Sequence, residues 1–234
     1  MKTSENDIAT IIGKGLLGAI PFVGPLAAEI IGNLIPNQRI DRIESLLKIL
    51  ESKFNEEDKQ RIKEKFIDPS SVDLIEDGFV QATRALSEER KEYIASLLKN
   101  SLTDKELKYI EYKRLLSILS ELNDLEVLIL KSFTLLHGEE GGDEFWGKHE
   151  QALDEPIAYL GEPQEKWDKL EIYKTHKEHL VRLGLLKMRF KKTSKGEIPE
   201  FDENTGMVKA QGYDITPLGE LLLRSIDQDE SALC

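Results

Sequence analysis

From Ile40 to Phe54 large apolar residues recur at Ile40, Ile43, Leu47, Leu50 and Phe54, in alternating steps of three and four. Only an α-helix gathers such positions on one face, because residues three and four apart lie on successive turns. The spacing predicts a helix with a single apolar stripe. The series fails at Arg61, where the next member falls. A stripe this short suits a helix of a hairpin or bundle better than a long coiled coil.

Helix signals continue downstream. Asp68-Pro69-Ser70-Ser71 is a chain break with N-cap chemistry and predicts a helix over about 71–85. Ser87, followed by Glu88 and Glu89, predicts another start, with acidic side chains at the positive end of the helix dipole. Thr103 to Glu106 fits a capping box, and Asn123 to Glu126 fits one more loosely. Between them Leu107, Ile110, Leu115, Ile118, Leu119 and Leu122 make a helical face. Residues 37–122 are therefore expected to form a bundle of four or five helices. A helix over 125–136 should end at His137-Gly138, and the acidic stretch 138–163 reads as an insertion or mobile loop. A helix near 167–183, a polar stretch over 191–211, a short strand at 213–215 and a last helix from Pro217 complete the expectation.

The fold class expected is mainly α: an N-terminal helical hairpin (1–36), the bundle (37–122), a C-terminal domain with a small β-wing (123–228) and a short tail (229–234). The 234 residues, 40% hydrophobic, are enough for one large or two modest cores. At 7% aromatic, those cores must rely on Leu, Ile and Val. The one cysteine, Cys234, rules out an internal disulfide and a cysteine metal site, and fits a reducing cytoplasm. The N-terminus, with Glu5 and Asp7, does not read as a signal peptide. No uncharged run approaches the roughly 20 residues of a membrane-spanning helix.

The net charge of −12 opposes broad attraction to nucleic acid, but the charge is unevenly placed. Residues 121–164 carry −9, residues 165–195 carry +6 and residues 196–234 carry −7. One basic island thus lies between two acidic stretches.

Around that island, His179-Leu-Val-Arg-Leu-Gly-Leu-Leu186 and Asp214-Ile-Thr-Pro-Leu-Gly-Glu-Leu-Leu-Leu223 resemble the winged helix-turn-helix fold, over roughly 100 residues. The first resembles the end of a recognition helix leaving through a glycine into the first wing strand. The second resembles the return strand and closing helix. Local chemistry agrees: Gly184 suits the position after a helix end, Thr216 suits an N-cap, and Pro217 suits the first helical position. The resemblance implies contact with nucleic acid through residues 166–195, with Lys169, Lys174, Lys177 and Arg182 on the recognition helix and Arg189, Lys191, Lys192 and Lys195 on the wing. Winged helices also serve as protein-binding or dimerising modules, so a protein partner is the competing expectation.

Residues 8–35 are apolar, glycine-rich and broken by Pro21 and Pro25, which suggests a short helical hairpin. Such a segment is either a buried core hairpin or a membrane-active one. In the second case Leu16, Leu17, Ile20, Phe22, Val23 and Leu26 would enter the apolar layer, as in a peripheral membrane protein. This region, with Ser87-Glu-Glu-Arg-Lys-Glu-Tyr-Ile-Ala-Ser-Leu-Leu98, loosely resembles the abortive-infection alpha family of phage-defence proteins. That resemblance implies a defence effector.

Catalytic signals are lacking. Gly13-Lys-Gly-Leu-Leu-Gly18 matches G-x-G-x-x-G literally, yet prolines follow it and the helical stripe occupies the place of the next strand. No Gly-x-Ser-x-Gly elbow is present, and no carboxylate sits in an evidently apolar setting. His176 and His179 are spaced for a metal on one helix, but only His137 and His149 remain as further histidines, so surface or groove-facing roles are expected. Trp146 and Trp167 are expected to pack. The chain thus reads as a non-enzymatic regulator or effector without a cofactor or metal. Its alternatives are a membrane-disrupting effector and a helical scaffold that oligomerises through the 40–54 stripe.

Overall fold

The computed structural model describes residues 40–55, 57–58, 68–104, 107–135, 141–194, 196–202 and 206–229. Among these residues the chain is mainly helical, with eight helices and a two-stranded antiparallel sheet. It divides into two compact units, one from the residues up to Glu121 together with Ser225–Asp227, the other from Leu122 to Arg224 with the residues from Gln228 on. The N-terminal hairpin expectation, including Leu16 to Leu26, lies outside the described residues. No described helix is long and apolar enough to cross a membrane.

The first unit holds α1 (Ile40–Lys53), α2 (Pro69–Ala82), α3 (Glu88–Thr103) and α4 (Tyr109–Glu121). On α1 the stripe Ile43, Leu47 and Leu50 is buried, joined by Leu46 and by Phe54 just beyond. Helix α3 is the central element, packed against α1, α2 and α4. Its run Tyr93–Leu98 is buried at every position, which a helix adopts only when neighbours cover its whole circumference. The Gly78 Cα on α2 lies against Leu98 so closely that an added Cβ would stand 2.7 Å from Leu98 Cδ1. Long polar side chains tie the ends: Arg90 Nη1 donates to the Leu119 carbonyl (2.9 Å) and Gln81 Nε2 to that of Leu116 (2.9 Å).

Asp68 caps α2, its carboxylate accepting from the Ser71 N–H, and the helix begins at Pro69 and ends at Ala82, a little ahead of the expected 71–85. Ser87 caps α3 as expected, accepting from Arg90 N–H. Thr103 is the last residue of α3 and its hydroxyl donates back to the Lys99 carbonyl, while Lys105 and Glu106 of the expected capping box lie outside the described residues. One expectation fails in part. Ile110 is 64% exposed at the start of α4, and Leu107 precedes the helix, while Tyr112 and Leu116 take the buried places.

The second unit holds α5 (Asp124–Ser132), α6 (Gly142–Leu153), α7 (Gln164–Arg182), β1 (Leu186–Phe190), β2 (Ala210–Ile215) and α8 (Pro217–Ser225), the last residue of which counts with the first unit. Asn123 and Glu126 form a complete capping box at α5. The stretch read as an insertion or loop folds in part: α6 occupies its middle, burying Phe145 and Leu153, which stand eight positions apart on one face. Charge and glycine masked that amphipathic spacing in the sequence. The buried phenol of Tyr173 on α7 donates to the Leu153 carbonyl (2.8 Å) and closes this small core.

Helix α7 ends in a Schellman motif. Gly184 has φ +76°, its N–H bonds the Val181 carbonyl, and the Leu185 N–H bonds that of Leu180. β1 then pairs with β2 from Leu186↔Ile215 to Phe190↔Ala210, with a bulge between Arg189 and Phe190. Thr216 joins both feet of the hairpin. Its hydroxyl contacts the Gly184 carbonyl (2.7 Å) and accepts from Gly219 N–H (3.1 Å), while its N–H donates to the Leu185 carbonyl (3.0 Å). There α8 passes so near the turn that a Cβ on Gly219 would lie 2.5 Å from the Leu185 carbonyl oxygen. Backbone cannot yield as a side-chain tip can, so Gly219→Ala is expected to destabilise the second unit by about 1–3 kcal/mol despite alanine's better helix propensity. Urea unfolding of the variant measures this, and an unchanged midpoint contradicts the close approach.

Candidate functional site

The basic island spans α7 and the hairpin, and the structure treats its two halves differently. On α7 only Tyr173 and Leu180 are buried, so a long face is open. The predicted lysines on that face are already engaged: Lys169 pairs with Glu165 (2.7 Å) and Lys174 with Glu171 (2.8 Å). Lys177 pairs with Glu155 (2.5 Å) while its ammonium lies over the rings of Tyr173 and Tyr213. Helix α7 interleaves acids and bases, so its lysines neutralise neighbours and add little net field. Among the described residues Arg182 alone of the four expected α7 cations shows no ion pair.

The surplus lies on β1 and the residues beside it, whereas the arm returning to β2 is acidic, with one lysine among residues 196–215. Between Arg182 and Ser194 the sequence has no acidic residue. Arg189 and Lys191 have only long contacts, to Asp214 (3.5 Å) and Glu197 (3.7 Å). Exposed pairs of this kind contribute about 0–1 kcal/mol each and exchange partners readily. Lys187, within β1, and Lys192, just past it, have no ion pair among the described residues; Lys195 lies outside them.

Beyond Phe190 the chain leaves the ladder and returns to it. Phe201 bridges Val208, the Lys209 N–H donates to the Glu200 carbonyl, and the Asp202 N–H donates to that of Met207. The excursion opens a groove of about 550 Å³ lined by Arg189, Lys191, Pro199, Glu200, Val208 and Lys209, among others. Around it Phe190, Phe201 and Met207 are 46%, 51% and 69% exposed. Sequence reading missed Lys209 because it stands alone in an acidic stretch. It missed the aromatic residues because the polar segment 191–211 hides their return to the strand.

A second cluster lies between α5 and α7. Glu126 Oε1 is 3.1 Å from Nδ1 of His176 and 2.9 Å from Nδ1 of His179. A carboxylate only accepts, so an imidazole bonds it through Nδ1–H; at His176 the same Nδ1 also lies 3.3 Å from the Asn123 amide Nδ2. Oε2 accepts from the Asn123 N–H (2.9 Å), completing the capping box. The Glu126 side chain is 5% exposed and each imidazole 17%, so these histidines are neither surface nor groove residues, and a carboxylate unsuspected from sequence sits in a buried setting. Among the described residues no group of three or more His, Cys, Asp or Glu is arranged to hold a metal ion. The cluster is a clasp between two helices.

Burial pushes the Glu126 carboxyl up, but the hydrogen bonds from the Asn123 N–H and the two imidazoles outweigh it and hold its pKa below the ordinary value. A carboxylate depressed in the folded state stabilises it above the unfolded pKa, and that contribution fades as pH falls through the folded one. Part of the acid destabilisation below about pH 4.5 is therefore expected to vanish in Glu126→Gln, a variant already less stable at pH 7. Thermal unfolding of both proteins across pH 3–7 checks this; parallel curves contradict the clasp.

No family model, no curated protein and no solved structure matches the chain.

Proposed function

We propose that the second unit is a winged helix-turn-helix module of a non-enzymatic regulator or effector, and that it engages nucleic acid chiefly through its hairpin. The observation that carries this reading is the run of cations from Arg182 to Lys192 without an intervening acid, on a hairpin that follows three helices and precedes a fourth. Three helices, a two-stranded wing and a closing helix is the element order of that fold. Its recognition helix is exposed for groove contact, and its wing supports phosphate contacts.

The division of charge sets the expected mode. Each of Lys169, Lys174 and Lys177 has its charge offset by a neighbouring carboxylate, so the net attraction for phosphate falls mainly to Arg189, Lys191 and Lys192, with Lys187 on β1. Binding dominated by phosphate contacts is weakly sequence-selective, and its salt dependence grows with the number of those contacts. Lys191→Glu with Lys192→Glu should weaken binding to a duplex oligonucleotide at least tenfold and flatten the slope of log K against log salt by about 1.8. Lys169→Ala with Lys174→Ala should change either quantity far less. Fluorescence anisotropy across a salt series distinguishes them; equal effects of the two pairs contradict a hairpin-led contact.

A second reading rests on the N-terminal segment, where Gly15 to Ala28 is uncharged and carries Leu16, Leu17, Ile20, Phe22, Val23 and Leu26. In it the segment acts on a membrane, as a defence effector would. Overexpression toxicity that disappears with Leu16→Asp plus Phe22→Asp supports this reading, and toxicity retained in a stably expressed double variant removes it.

A further inference from the structure

The connection between α6 and α7 presents an unusual tip. The Glu162 N–H donates to the Tyr159 carbonyl (3.0 Å), closing a turn, and the Glu162 carboxylate faces the Tyr159 N–H (3.4 Å). Gly161 adopts φ +94° in it. The turn is thus built and hydrogen-bonded, yet it holds Leu160 wholly in solvent (101% exposed), with Tyr159 and Ile157 67% and 64% exposed. Soluble proteins rarely hold a structured cluster of large apolar side chains in water unless something covers it. The cluster is flanked by acids: Asp154, Glu155 and Glu162.

The hairpin groove is the complement on the same unit. It combines apolar Pro199, Val208 and Ala210 with the loosely paired cations Arg189 and Lys191; Lys209 also lines it but is paired with Glu200 of the same lining (2.9 Å), and the volume of about 550 Å³ is of the size that a leucine and a tyrosine ring need. Since Leu160 is fully exposed, it does not fill the groove of its own copy. We propose that the groove of one copy takes the Tyr159–Leu160 turn of a second copy, a head-to-tail contact in which apolar side chains are buried and acids of the turn meet cations of the groove. The carboxylates of the turn are held in exposed pairs, Glu162 with Lys166 (2.6 Å) and Glu155 with Lys177 (2.5 Å), and such pairs exchange at small cost. A second copy is the occupant argued for because each copy carries both halves, acidic-apolar and basic-apolar. The contact uses Arg189 and Lys191, so self-association and nucleic acid compete for one surface.

Sedimentation velocity of the full chain across a concentration series tests this, with two variants. One is Tyr159→Ser with Leu160→Ser, at positions too exposed to affect folding. The other is Lys191→Glu with Val208→Glu, in the groove. Wild type should gain mass with concentration, and each variant alone should associate at least tenfold more weakly, as on loss of an anchor residue. An equimolar mixture should regain a heterodimer, since it pairs one intact groove with one intact turn. A wild type that stays monomeric, a turn variant that associates like wild type, or a mixture that fails to recover overturns the proposal. Circular dichroism confirms that the variants are folded. The turn variant should keep full nucleic-acid binding, so loss of self-association is told apart from failure of the winged-helix reading.

Discussion

The hairpin stands where it does because the chain is pinned at both of its feet by one residue. Thr216 satisfies the carbonyl of Gly184 and, through its N–H, that of Leu185, while its oxygen receives the Gly219 N–H. Those groups are the ends of two helices, which otherwise leave several backbone donors and acceptors unpaired. The exit of α7, the register of the strands and the entry of α8 are therefore one hydrogen-bonded assembly. Gly184 supplies the left-handed residue it needs and Gly219 the clearance. The placement of Lys187 and Arg189 on β1 follows from that assembly.

The hairpin's feet were readable from sequence because they depend on residue types with narrow uses: glycine after a helix, threonine before proline. The buried stripe of α1 was readable because burial enforces a period. What escaped were features set by distant partners. Glu126 looks like an ordinary capping residue until α7 brings His176 and His179 onto its other oxygen. The α7 lysines look like a phosphate-binding row until their carboxylates three and four residues away, and Glu155 from the preceding segment, are placed beside them. Helix α6 was hidden because only Phe145 and Leu153 of its length needed to be apolar and buried along with Gly142. Charge counted along a chain overstates the field that a folded surface presents.

The second unit is accordingly divided electrostatically. Its helices carry mixed charge with mutual pairing, while β1 and the residues just after it keep a surplus, Arg189 and Lys191 having only long contacts. Weakly held exposed cations are cheap to redirect, and those beside exposed aromatic rings suit ligands that offer negative charge together with a flat or apolar body. This one surface is therefore suited to competition between ligands.

The two-stranded sheet has a further consequence. Among the described residues each strand pairs only with the other, so each has an outer edge without a strand neighbour. Open edges invite indiscriminate pairing with other chains, and charged side chains along an edge are a common safeguard. Lys187 and Arg189 alternate with Met188 and Phe190 along β1, and the bulge after Arg189 interrupts the ladder before it grows long. The cations proposed to meet a ligand thus also guard the hairpin against templating aggregation, and replacing them by neutral β-formers would trade solubility for stickiness whatever the ligand.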